Sequence, residues 1–203
     1  MAGPDWLRWT LTILFLAVAA YCVFRLARAR HVPGIYLGCH RATDVGHGMM
    51  CAGMAVMCSP VGGPIPVAGW QTAFLVSTSW FAASWLRQRH SQAADVGWHG
   101  GSLHHAVAGL AMLYMLTAMP SGDGHHGMAA PWMPGMHDAD LALPVVGWGF
   151  ATYFVVHATI LGIRAVRATP SCDARVPALL TAPRLTATCQ IFMALGMSYM
   201  LVA

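Results

Sequence analysis

The stretch Asp44–Met57, DVGHGMMCAGMAVM, decides how the remainder of the chain is read. At helical spacing, His47, Met50, Met54 and Met57 stand at i, i+3, i+7 and i+10, which is one face of a helix. Asp44 lies one turn earlier on the same face. The stretch therefore predicts a helix with an ionisable pair at one end and a row of thioethers beyond it.

The pattern recurs twice. From His105, steps of seven and ten reach Met112 and Met115, with Ala108 at the first Met position. From Gln190, steps of three, seven and ten reach Met193, Met197 and Met200. Weak internal repeats of this kind are a signature of membrane transport folds.

Of the 203 residues, 57% are hydrophobic and 9% charged, against roughly 25% charged in a soluble domain. This composition predicts an all-α, polytopic membrane bundle. Every basic residue is Arg and every acidic one Asp, a usage that fits a GC-rich bacterial genome. The net charge of +4 comes from Arg clusters in a few loops, so it marks orientation and no nucleic-acid partner. Six Cys, at 22, 39, 51, 58, 172 and 189, form no CxxC pair and read as small buried residues. Cys51 and Cys58 flank the Met row and could add soft ligands.

Hydropathy and punctuation place six spans at about 6–26, 42–59, 67–86, 103–119, 143–163 and 185–203, paired as three helix hairpins in a single integral membrane domain 1–203. Ala17–Ala20 has the look of a signal-peptidase site, but the basic cluster follows the apolar run, which favours a retained first span. Arg25, Arg28, Arg30 and Arg41, then Arg87 and Arg89, then Arg164, Arg167, Arg175 and Arg184 mark the inner loops. The segment 120–142 has no Lys or Arg and is expected outside, as are both termini, in the plasma (inner) membrane of a bacterium. Trp6, Trp9, Trp70, Trp132 and Trp148 fall near span ends and fit interfacial anchoring. Gly46, Gly48, Gly53, Gly109 and Gly196 fit close helix contacts.

With this orientation His47, His105, Gln190 and His157 share an inner layer, and the Met pairs 54/57, 112/115 and 197/200 an outer one. Thioether sulfur is an uncharged, polarizable donor that favours Cu(I), while imidazole also suits Cu(II), Zn and Fe. Asp44, His157 and Gln190 are candidates for supporting the ligands or for proton coupling. Of the adjacent pair His104 and His105, about 100° apart on a helix, register selects His105.

The outer segment carries His125, His126, Met128, Met133, Met136 and His137 with Asp123, Asp138 and Asp140. It resembles the Met- and His-rich external segments of copper-uptake proteins, where a loop gathers ions above a Met-lined path. As a whole, with His followed by spaced Met on its even helices, the chain resembles an actinobacterial family of uncharacterised multi-pass membrane proteins. That resemblance implies a fold and no mechanism.

The expected function is binding of a soft metal ion, copper(I) first, for transport or homeostasis, with membrane lipid and a homo-oligomer as further partners. Two alternatives stand beside it. Paired His47 and His105 could hold a b-type haem for electron transfer. Or Met and Gly could serve packing alone, in a non-catalytic scaffold subunit. No Ser/His/Asp triad, P-loop or HExxH occurs, so an enzyme is not expected.

Overall fold

A computed structural model of the chain describes residues 5–29, 38–90, 101–118, 143–167 and 183–202. Among the described residues there are six helices and no strand: α1 Asp5–Ala29, α2 Gly38–Cys58, α3 Val67–His90, α4 Gly101–Ala118, α5 Pro144–Arg167 and α6 Pro183–Val202. The helix order agrees with the sequence reading, and the bounds differ at their ends. α2 begins at Gly38, not Ala42, and α3 continues to His90. Hydropathy locates only what hydrocarbon can cover, while backbone hydrogen bonding runs on through Arg and other good helix formers.

Two helices, α1 over Asp5–Arg28 and α5 over Pro144–Arg167, are long and apolar enough to cross a membrane. α2 carries Arg41, Asp44 and His47, and α4 carries His104 and His105, which lower their hydropathy. Two of these polar residues on α2 are turned inward: Asp44 and His47 are buried, while Arg41 near the helix start and Val45 between them are exposed.

The helices fall into two compact units, α1–α4 and α5–α6. In the first, α1 and α2 pack antiparallel. α1 buries the stripe Arg8, Thr12, Phe15, Cys22 and Arg25, the roughly 3.5-residue period of a helix lying along a helix. Near one end Arg8 Nη2 donates to Ser59 O at 3.2 Å. Near the other, Arg25 Nε approaches Asp44 Oδ2 at 3.5 Å. Seventeen positions of helix separate the two guanidinium groups, ~25 Å by helical rise.

The connection to α3 is tight. Ser59 N bonds Ala55 O at 2.9 Å, Gly62 N bonds Ser59 O at 3.2 Å, and Gly62 takes φ 75°, a left-handed turn open to glycine without cost. α3 and α4 then pack antiparallel, with Gln71 Nε2 donating to Leu116 O at 3.3 Å. Farther along, the Thr78 side chain fills the space beside Gly109. Trp70, expected at the interface, is buried and stacks on Phe74 with centroids 5.9 Å apart. Trp6, Trp9 and Trp148 are exposed, and Trp132 lies outside the described residues.

α2 and α4 run parallel. A Cβ on Gly46 would meet His105, and one on Gly53 would lie 2.7 Å from Met112 Cε. Both pairs are 59 positions apart, and the repeat itself, His47/His105, Met54/Met112 and Met57/Met115, has an offset of 58. The sequence repeat is thus the packing register.

In the second unit, Pro144 opens α5 at a position where its missing N–H costs nothing. α6 packs antiparallel, with Ser198 Oγ donating to Ala151 O at 3.3 Å. Gly149 on α5 has nothing within 4 Å of where a Cβ would stand. Gly149→Ala is therefore expected to raise stability by up to about 1 kcal/mol through helix propensity alone, read as a higher midpoint of denaturation in detergent.

Exposed threonines bond their own helix backbone, Thr117 onto Tyr114 O three residues back at 2.9 Å and the others one residue farther. Thr10, Thr72, Thr152 and Thr159 each turn the hydroxyl back onto the carbonyl four residues earlier, at 2.7, 2.8, 2.8 and 2.8 Å. A helix in an apolar solvent satisfies its hydroxyls in that way.

Candidate functional site

The parallel register of α2 and α4 assembles a polar cluster from both helices. The His47 and His105 rings lie 4.5 Å apart, centroid to centroid, tilted by 47°. Phe81 of α3 closes against the other side of His105 at 4.7 Å. His105 Nε2 reaches Thr43 O at 3.3 Å. A carbonyl can only accept, so Nε2 carries the proton and the neutral ring keeps its lone pair on Nδ1. His47 Nε2 is buried and has no hydrogen-bond partner among the described residues.

Asp44 does not serve His47 as a tautomer-fixing acceptor, the simplest role for a carboxylate one turn away. Its carboxylate faces α1 and the Arg25 guanidinium. Both side chains are buried, at 9% and 4% exposure for Arg25 and Asp44. His104, which register reasoning sets aside in favour of His105, is also buried, its ring 5.8 Å from that of His105. A helix packed on two sides can bury adjacent residues, and α4 packs on both α3 and α2.

Beyond the polar cluster comes sulfur. Met50, Met54 and Met57 on α2 and Met112 and Met115 on α4 are buried, as are Cys51 and Cys58. Gly53 lets Met112 Cε and the Phe74 ring approach the α2 backbone. Met193, Met197 and Met200, the third copy of the pattern, are buried on α6, and Gln190 is half-buried there. His157 is half-buried on α5, stacked on Tyr153 at 6.0 Å. His125, His126, Met128, Met133, Met136 and His137 lie outside the described residues.

Sequence reasoning missed Arg25, reading it as a loop charge that sets topology. The signal was present in the stripe 8, 12, 15, 22, 25, which continues the buried face of α1 through that arginine. It also missed Thr43, whose contribution is a backbone carbonyl that no side-chain pattern reveals.

Chemically, the arrangement offers neutral nitrogen from His47 and His105, thioethers farther along the same two helices, and one carboxylate already matched by a guanidinium. Among the described residues, no group of three or more His, Cys, Asp or Glu is placed to hold a metal ion. The donors that α2 and α4 bury together are imidazole nitrogen and thioether sulfur, and thioether favours soft ions.

The model of a family described as a domain of unknown function, DUF5134, matches residues 39–203. No curated protein and no solved structure matches the chain. α1, with both of its buried arginines, precedes the matched segment.

Proposed function

The chain belongs to the DUF5134 family, and on that premise we propose that it is a six-span plasma-membrane protein that binds a soft cation, copper(I) first, between α2 and α4. Its work is transport or homeostasis of that ion, not catalysis. The observation that carries the reading is the shared register. An offset of 58 in sequence and 59 in packing sets His47 against His105 and brings Met54 and Met57 to the depth of Met112 and Met115, all buried.

Membrane placement has separate support. Within the first unit, the Arg25 and Arg28 end of α1, the Arg41 end of α2 and the Arg87 and Arg89 end of α3 all lie at one end, as the positive-inside rule requires of a cytoplasmic face. Arg8 is the exception, and it is buried with its guanidinium on Ser59 O. Apolar side chains such as Leu14, Leu16, Val76, Trp80, Leu110 and Val155 face outward along the helices, the reverse of a water-soluble bundle.

The ring contact favours a bare ion over haem. Two axial imidazoles need ~4 Å between their nitrogens, twice a metal–imidazole bond, with a macrocycle lying between the rings. Rings tilted 47° at 4.5 Å leave no slot for it.

Copper analysis of protein purified after Cu(I) loading tests the reading. Changing Met54, Met112 and Met115 together to Leu conserves volume and costs little stability. It is expected to lower bound copper by at least about half, because each lost thioether removes a donor that leucine cannot replace. Unchanged copper content in the folded variant would remove these methionines from the site.

A further inference from the structure

Arg25 brings a buried positive charge against Asp44, one helical turn from His47 at the polar end of the proposed cation site. Resting on that reading, we propose that Arg25 is a tethered stand-in for the ion. With the site empty its guanidinium neutralises Asp44, and a cation arriving at His47 takes over that neutralisation and releases Arg25.

Three features of the geometry carry this. First, the pair is buried but loosely closed. Arg25 Nε stands 3.5 Å from Asp44 Oδ2, well beyond the ~2.7–2.9 Å of a charge-assisted hydrogen bond, so this contact is held by charge attraction, which a second cation can replace. Second, His47 lies one turn past Asp44 on the same helix face, and its Nε2 is buried with no hydrogen-bond partner among the described residues. A monovalent cation on that nitrogen falls within reach of the Asp44 field, which keeps the local charge balanced only if Arg25 withdraws. Third, Arg25 has somewhere to go. The Tyr21 ring, one turn back on α1, already lies 5.8 Å from the guanidinium carbon and offers a cation–π seat on the same helix.

The arrangement also assigns a purpose to α1, which lies outside the family-matched segment. The carboxylate belongs to the matched segment and its competitor cation to the helix that precedes it. α1 then sets how readily the site gives up its ion, the compromise between binding and release that conduction requires.

The test uses the full-length protein in detergent, with Ag(I) as a soft monovalent probe that does not change oxidation state, and calorimetric affinities. Arg25→Gln, which removes the competitor, is expected to bind Ag(I) about tenfold tighter, and Asp44→Asn about tenfold weaker. Arg25→Lys, which keeps the charge, should stay within about twofold of wild type. A pair with a purely structural role would weaken binding in the same direction whichever side is changed. Folded Arg25→Gln protein that binds no tighter than wild type overturns the proposal. Should that variant fail to fold, wild-type affinity in Asp44→Asn overturns it equally. If wild-type protein binds no Ag(I), the soft-cation reading falls and this proposal with it; if wild type binds and the variants match it, only the role of Arg25 falls.

Discussion

Arg25→Leu is expected to destabilise the purified protein by about 3–5 kcal/mol, while Arg25→Met combined with Asp44→Leu stays within about 1 kcal/mol of wild type or gains stability. The two outcomes differ because a buried pair and a buried single charge are different problems. Each partner loses its hydration on burial, and at 3.5 Å their mutual attraction roughly offsets that loss. Removing the guanidinium alone leaves the buried Asp44 carboxylate facing α1 without its counter-charge, with the desolvation cost still present and nothing to offset it. Removing both charges and filling the volume removes the cost along with the attraction. Denaturant midpoints followed by tryptophan fluorescence measure the difference. Near-equal loss in the single and double variants would show that the side chains act by packing and not by charge. A saturating soft cation should also restore part of the stability of Arg25→Leu, since binding to the folded state alone adds stability by mass action.

That ion pair marks the limit of what the sequence discloses. Six helices are legible because each has an apolar stretch bounded by Arg, Pro or Gly, and those signals are local. The α2–α4 register is legible too, but only because the chain repeats itself. His47 and His105 match in sequence, so helices of like face pack at like depth. Arg25 has no such counterpart on α3, and its meaning depends on which residue of α2 lies opposite. An arginine just inside a span end looks the same whether it marks the cytoplasmic face or reaches across to a carboxylate. Trp70 poses the same ambiguity, being near a span end by position and in the core by its stacking on Phe74. Register sets His104 aside because it grants a helix one inward face, whereas α4 packs against two neighbours. In each case the missing term is the partner helix.

The register makes a second demand, and its violation is expected to be the most damaging single change between α2 and α4. Gly46→Leu should cost about 3 kcal/mol or more, at or above the upper end of ordinary overpacking, and weaken Ag(I) binding with it. A Cβ on Gly46 would overlap His105 Cδ2 and lie 2.9 Å from Phe81 Cζ. His105 has little room to retreat, being held by Nε2 to Thr43 O and enclosed between the His47 and Phe81 rings. The added side chain therefore has to move α4 away from α2, which separates the two imidazoles. Gly53 provides the internal comparison. Its nearest neighbours are the buried Phe74 ring, with Cζ at 2.6 Å, and Met112 Cε at 2.7 Å; the methionine end shifts through low-cost rotamers, and one methyl group asks less of the ring than a leucine at Gly46 asks of His105. Gly53→Ala should accordingly cost about 1 kcal/mol, and Gly149→Ala, in open space, should gain. Denaturation midpoints of the three variants test the order directly. A Gly46→Leu protein as stable as Gly53→Ala would mean that α2 and α4 are free to slide or separate, and a site built on their shared register could not then hold its donors in place.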